Sequence, residues 1–375
     1  NQSAVDAILK DLPRRVSVDP PRLYLAGFSG TSRVAWIFGL ALRGNVAGII
    51  GCGAGLPDSG PGLQEDLPFA YFATAGTTDF NYQEMVQLDR ELEKLGTAHR
   101  WTPFDGAHQW MPPEVAREAL AWMRLEAMAR GLETPKEAWI EAQFQAGWKE
   151  AEALEAQGDL VTAQRRFQGL AEDHERFQDV TRAKERAEAL ARRPEVREAL
   201  SRQEKLARQE ATQQNRLHRW FEKWMTTELI AAPGRALVEL DVPNLQKLTE
   251  DEDPEVARSA QRRLTHTFVQ LHATLAPRFE RGGNHEREAA LLEIARAIHP
   301  DHPIVRFKLA KAYTAWGRYE TAFELLQGLV DDQLIRRQTL EEDPDLEPLR
   351  QRKEWGALME SLETAYASTA EEPHA

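Results

Sequence analysis

The chain of 375 residues contains one cysteine, Cys52. A single thiol excludes an intrachain disulfide framework and a cysteine-rich metal centre. Surplus positive charge is also lacking, since 47 Lys and Arg against 60 Asp and Glu leave a formal net charge of −13. Phosphate backbones and anionic headgroups do not reward an acidic protein, so neither nucleic acid nor an anionic membrane surface is an expected partner. No stretch approaches the roughly 20 consecutive apolar residues of a transmembrane segment. The first residues, Asn1-Gln2-Ser3-Ala4, carry neither a starting methionine nor a signal sequence and read as a processed or truncated end. The compartment therefore stays unknown: cytoplasmic or, with an upstream signal, periplasmic or secreted. What is present is ordinary globular material. Hydrophobic content is 42% and charged content 29%, in a chain long enough for two or three domains.

Two grammars divide the chain. From residue 1 to about 131, short apolar runs alternate with amphipathic stretches, the pattern of a mostly parallel sheet of about four strands. Strands are expected at Arg22–Gly27, Val46–Gly51, Phe69–Ala75 and Ala98–Phe104. Helices are expected at Ser3–Leu12, Thr31–Leu42, Asn81–Leu95 and Pro113–Ala129, with Gly51–Pro61 as a loop. From 132 to 375 the strand grammar disappears, and Ala, Leu, Glu, Gln, Arg and Lys recur at helical spacing. The fold class read from this order is α/β followed by all-α, with domains at 1–131 and 132–375.

The helical part carries a repeat. Gly158 is followed by Ala163 and Phe167, and Gly317 by Ala322 and Leu326 at the same offsets. Gly283 precedes Gly317 by 34 residues, and Pro300 closes that unit. A helix–turn–helix period of this length, with a small residue where two helices touch, resembles the tetratricopeptide repeat. The resemblance covers 138–173 and 304–331 best and 278–300 least. Residues 175–275 fit no register and read as long helices. Within them Arg216–Leu229 concentrates Trp220, Phe221, Trp224 and Met225, an arrangement that suits a helix–helix core better than a ligand site.

Chemistry concentrates in the first part. The run Arg22-Leu-Tyr-Leu-Ala-Gly-Phe-Ser-Gly30 is a strand that stops at a serine flanked by glycines and restarts as a helix. Acyl transfer through serine needs a base to take its proton and an acid to orient that base. Ser29 is followed along the chain by Asp79 and then His108, each just past an expected strand. Loops at the carboxyl ends of parallel strands share one rim, so these three side chains can converge.

At these residues the chain resembles the serine-hydrolase side of the α/β-hydrolase superfamily, near esterases of the dienelactone-hydrolase and polyhydroxybutyrate-depolymerase kind. The resemblance covers about residues 3–130, the C-terminal half of that fold. It implies Ser29 as nucleophile, His108 as general base and acid, Asp79 as the residue orienting the imidazole, and the Gly30 backbone N–H as an oxyanion donor. It calls for no cofactor and no metal. The implied substrate is a small molecule or acyl compound cleaved at an ester or a related acyl bond, with amides left open. The tetratricopeptide-like region would be an appended module offering a surface to a protein partner.

Neighbouring candidates read as structural. Ser32 falls inside the first helical turn, Asp105 shapes the loop ahead of His108, and His99 sits within a strand as a packed or surface histidine. Glu84 and Asp89 read as solvated helix-face charges, and Cys52 as a small buried thiol. Two departures from the family pattern stand out. Thr31 occupies the last glycine position of G-x-S-x-G, where a β-branched side chain is expected to press on the turn. Only about 20 residues precede the first strand, without the loop that supplies a second oxyanion donor in the family. Three readings follow: the chain is part of a longer protein, which is preferred; another chain completes the sheet through the exposed apolar edge, by self-association; or the half-domain is a remnant on a non-catalytic interaction protein.

Overall fold

A computed structural model describes residues 2–57, 62–63, 66–226 and 232–367. Residues 58–61 of the expected Gly51–Pro61 loop and 227–229 of the aromatic patch lie outside the described residues, as does Asn1. The chain divides into two compact units, 1–208 and 209–375.

The first unit is built on four parallel strands in the order β1 (Leu23–Phe28), β2 (Val46–Cys52), β3 (Ala70–Thr74) and β4 (His99–Trp101). The apolar run Val46–Cys52 is buried along its whole length, as a strand covered on both faces must be. Among the described residues β1 is paired on one side only, and it alternates between exposed and covered positions, with Tyr24 37% exposed. β4 is shorter than the expected Ala98–Phe104; beyond Trp101 the ladder continues only as an isolated bridge between Gly76 and Phe104.

Side chains alternate across the sheet and build two cores. Ile49, Tyr71 and Ala73 point to one face, where α2 (Gly30–Ala41) and α3 (Tyr82–Lys94) add Trp36, Met85, Leu88 and Leu92. Ile50, Ala70 and Phe72 point to the other, where α4 (Pro113–Ala129) adds Val115, Ala119, Trp122 and Met123. The arrangement is a three-layer α/β sandwich, preceded in the chain by α1 (Gln2–Arg15). Each large apolar side chain buried here contributes about 1.5–3 kcal/mol. These layers point the carboxyl ends of all four strands to one rim.

Three helices follow before the long one that ends the unit: α5 (Glu137–Ala156), α6 (Leu160–His174) and α7 (Thr181–Ala191). They share a core of Phe144, Ala151, Ala163, Phe167 and Leu170. α6 is tied to the sheet layers through Asp173, which accepts from Arg100 of β4 and, at 2.8 Å, from the Trp122 indole N–H. Burial disfavours the Arg100 charge, but Asp173 outweighs it and holds the guanidinium above its usual range. The change of grammar at 131 therefore separates strands from helices, whereas the compact units part at 208.

The long helix α8 (Pro194–Met225) runs from the first unit into the second. The second unit continues with α9 (Pro233–Glu239), α10 (Val242–Leu248) and α11 (Pro254–Val269), which leads through a wide π-type turn at Gln270–Leu275 into α12 (Ala276–Arg281). Then come α13 (His285–Ile298), α14 (Pro303–Ala315), α15 (Tyr319–Asp331), α16 (Arg337–Glu342), α17 (Glu347–Arg350) and α18 (Glu354–Ala367). Trp220 and Trp224 are core residues, 7% and 4% exposed with rings 6.0 Å apart, whereas Met225 is exposed. Residues 175–275 thus mix long helices with two of only seven residues, α9 and α10. No helix among the described residues is long and apolar enough to cross a membrane.

Candidate active site

The turn from β1 into α2 places Ser29 in a backbone conformation that side chains rarely adopt, φ 54° and ψ −126°. Such a position costs on the order of 1–3 kcal/mol and persists only where neighbours over-determine it. The Ser29 N–H donates to the Cys52 carbonyl at 2.8 Å, and the Ser29 carbonyl accepts from the Ser32 N–H at 2.9 Å. Gly27 is needed because a Cβ there would lie 2.4 Å from the Thr31 carbonyl oxygen and 2.5 Å from the Ser32 nitrogen.

Thr31 corrects an expectation. Its side chain does not press on the turn. The hydroxyl donates to the Phe28 carbonyl at 2.7 Å and accepts from the Phe28 N–H at 2.9 Å, fastening the last residue of β1 to the first turn of α2.

The loops after β3 and β4 bring the other two residues to the same point. His108 Nε2 lies 2.9 Å from Ser29 Oγ, and His108 Nδ1 lies 2.9 and 3.0 Å from the two carboxylate oxygens of Asp79. Asp79 is fully buried, Ser29 and His108 are half-buried, and Gly30 is exposed. A carboxylate only accepts, so the proton on the ring belongs on Nδ1 and Nε2 is left to accept from the serine hydroxyl. Gly30 opens α2, so its N–H has no intrahelical partner and points out of the helix start beside the serine.

Hydrogen bonds lock the Asp79 and His108 loops together: the Thr77 N–H donates to the Phe104 carbonyl at 2.8 Å, and the Thr78 N–H and hydroxyl both donate to the Gly106 carbonyl at 2.9 Å. Asp105 serves this loop as expected, accepting from the Thr77 hydroxyl at 3.2 Å. The imidazole is held between two rings, Phe28 at 4.6 Å and Phe80 at 4.4 Å between centroids.

The sequence reading missed the segment after β2. Gly53, with φ 67°, sits so close to the site that a Cβ would lie 3.0 Å from an Asp79 oxygen and 3.3 Å from His108 Cε1. Asn81 holds it there by donating its side-chain amide to the Gly53 carbonyl at 2.7 Å, while its backbone N–H donates to Asp79 Oδ1 at 2.8 Å. An Asp followed two residues later by Asn was the available signal for this Asx-type turn. The next residues are pinned from α2 and α3. The Ser32 hydroxyl donates to the Ala54 carbonyl at 2.6 Å, Glu84 accepts from the Gly55 N–H at 2.8 Å, and Arg33 bonds the Leu56 carbonyl and, at 2.7 Å, Glu84. Glu84 is therefore a loop anchor and not a solvated charge.

The remaining candidates stay apart from this arrangement. His99 is a β4 residue 3.2 Å from Asp89, and that pairing, with the Thr97 carbonyl, outweighs burial and raises its pKa. Asp89 is thereby a partner of His99. Burial pushes the Cys52 thiol up to about 11, and its Sγ donates to the Gln109 carbonyl at 3.4 Å, so it carries little thiolate at neutral pH. Among the described residues, no group of three or more His, Cys, Asp or Glu side chains is placed to hold a metal ion.

No protein-family model, curated protein or solved structure matches the chain, so the functional reading rests on the geometry of the site.

Gly27→Ala is expected to destroy the turn, because the added methyl meets backbone and cannot be relieved by a rotamer change. Stability should fall by at least the 1–3 kcal/mol typical of overpacking, read as a lower urea midpoint. Gly30→Ala is the control. A Cβ there meets nothing within 4 Å and the backbone N–H remains, so the midpoint should hold.

Proposed function

We propose that the protein is a serine hydrolase that cleaves an ester or related acyl bond through Ser29, His108 and Asp79. The observation that carries this reading is His108 bridging Ser29 Oγ and Asp79 with hydrogen-bond distances on both ring nitrogens. The strained Ser29 backbone at a strand-to-helix turn supports it, as does the resemblance of Gly27-Phe28-Ser29-Gly30 to the α/β-hydrolase elbow.

In the forward step Ser29 Oγ attacks the acyl carbon while its proton passes to His108 Nε2. The carbonyl π electrons move onto oxygen, and the oxyanion meets the Gly30 N–H at the start of α2. Collapse restores the carbonyl, breaks the bond to the leaving group and returns the proton from Nε2 to the departing oxygen. A water molecule then repeats the sequence on the acyl-serine, releasing the acid and free Ser29. Asp79 accepts from Nδ1 throughout and stabilises the imidazolium of each half-reaction. The Gly53 segment, held by Asn81, backs the imidazole during these transfers.

The helical region is read as tetratricopeptide-like, an appended interaction module. Gly158 joins α5 to α6, Gly283 joins α12 to α13 and Gly317 joins α14 to α15, all with positive φ. Ala163, Phe167, Ala322 and Leu326 are buried on the second helix of their pairs.

A fluorophosphonate probe tests the catalytic reading. It should label the folded protein at Ser29 and fail on Ser29→Ala, with the adduct located by peptide mass. An unlabelled, folded protein beside a working control enzyme would overturn it. Retention of a defined protein partner by Ser29→Ala would then favour the remnant on an interaction module.

A further inference from the structure

The proposed hydrolase site has one surface that its chemistry leaves unused. Trp110, two residues past His108, is 52% exposed. It is the one of the chain's ten tryptophans that lies mostly in water. Its ring stands 5.6 Å from Phe28, the residue before Ser29, and Phe28 in turn stands 4.6 Å from the His108 ring. Phe28 and Trp110 therefore form a continuous aromatic surface that starts beside the nucleophile and opens to solvent. Aromatic rings buried elsewhere in this unit pack into a core, as Trp36 does against Phe69 and Tyr71. Phe28 is half-covered by the core around Ile50, Phe72 and Phe104, whereas Trp110 extends its ring surface into solvent.

Charge around the site is equally informative. None of the described cations hydrogen-bonds or pairs with Ser29, Asp79 or His108, and none stacks on Phe28, Phe80 or Trp110. Arg33, four residues beyond the nucleophile, is committed to Glu84 and the Leu56 carbonyl. None of the described cations that these contacts record is thus seated on the catalytic side chains or their rings to pair with a carboxylate or phosphate next to the scissile bond. An uncharged substrate with an aromatic or bulky apolar group would cover rings now exposed to water.

We propose that Phe28 and Trp110 are the specificity subsite of this hydrolase, seating the aromatic or bulky apolar group of an uncharged ester beside Ser29. The proposal rests on the serine-hydrolase reading above. Neutral esters with such a group are the preferred class, and anionic esters of similar size are disfavoured.

The test uses methyl esters followed by acid release in a pH-stat, so that the leaving group is constant and not aromatic. The whole chain should hydrolyse methyl phenylacetate with kcat/KM about tenfold above both methyl acetate and monomethyl succinate, the scale of one good aromatic contact. Trp110→Ala should reduce the phenylacetate-to-acetate ratio by about the same factor, mainly through KM, and Trp110→Phe should restore most of it. A preference for monomethyl succinate, or a ratio unmoved by Trp110→Ala, would overturn the subsite while leaving the hydrolase intact. Fluorophosphonate labelling of the same samples separates the two ideas. Labelled Ser29 with no aryl preference sinks the subsite alone, and unlabelled wild-type protein sinks both.

Discussion

Asp79→Asn is expected to lower kcat for ester hydrolysis by about 10⁴-fold while the fold stays intact. The argument is one of tautomers. Both Asp79 oxygens lie within hydrogen-bond distance of His108 Nδ1, so that nitrogen carries the proton and Nε2 is free to accept from Ser29. An asparagine can present its amide N–H to Nδ1. The imidazole then keeps its proton on Nε2, facing the hydroxyl it should deprotonate, and general-base catalysis stops. The asparagine side-chain oxygen still accepts from the Asn81 N–H, the bond that shapes the turn, so the structural loss is small. Initial rates with a neutral ester, alongside circular dichroism and thermal unfolding, decide the matter. An Asp79→Asn protein retaining more than about a tenth of the wild-type kcat would show that Asp79 does not set the state of His108.

Much of this site could be read from the sequence because its signals are local. The serine between glycines, the strand before it and the helix after it lie within about twenty residues, and the run Val46–Cys52 announces a strand covered on both faces. Ser29, Asp79 and His108 were legible as a set because parallel strands place their following loops on one rim, whatever the details of packing. What was hidden depends on contacts between distant residues. The Gly53 segment is held by Ser32, Asn81 and Glu84, from 22 to 29 residues away, and nothing in their own neighbourhoods marks them as anchors. Thr31 was misjudged for a different reason. The steric cost of a β-branched residue is visible in sequence, but the paired hydrogen bonds to Phe28 that offset it are not. The contact of Asp173 with Arg100 and Trp122, which ties α6 to the sheet layers, is likewise a tertiary fact.

Those anchors also explain how an unfavourable backbone can be kept. Ser29 sits in a conformation that costs on the order of 1–3 kcal/mol, yet its own hydrogen bonds to Cys52 and Ser32, and those of Thr31 to the preceding Phe28, hold the turn on both sides. Together with the zippered Asp79 and His108 loops they fix three side chains to hydrogen-bond tolerance.

The second large effect is expected in acid and arises in the helical unit. His266 on α11, His272 in the wide turn, His299 after α13 and His302 before α14 lie in one unit, three of them ringed about Phe268 at 4.3–4.9 Å. Burial is the leading cause that lowers all four pKa values, and for His272 and His302 the positive charge of Lys308 adds to it. His266 is pushed down to about 4 from an ordinary 6.5, and among the described residues its buried Nδ1 meets no hydrogen-bond partner. The sign follows from linkage. Above pH 6.5 the ring is neutral in both states and costs nothing; as pH falls the unfolded chain binds a proton that the folded one resists, so stability is lost between 6.5 and 4. At pH 5 this one residue removes about 2 kcal/mol, and below 4 about 3 kcal/mol. For a unit of this size 2 kcal/mol corresponds to a fall of about 4–8 °C in Tm. His266→Leu removes the titrating group, so its stability relative to the wild type should rise by that margin between pH 7.5 and pH 5, whatever the offset at pH 7.5 from losing the buried nitrogen. Thermal unfolding of both proteins at the two pH values measures the difference directly. Equal losses in the two proteins on acidification would show that His266 is not a source of the acid sensitivity.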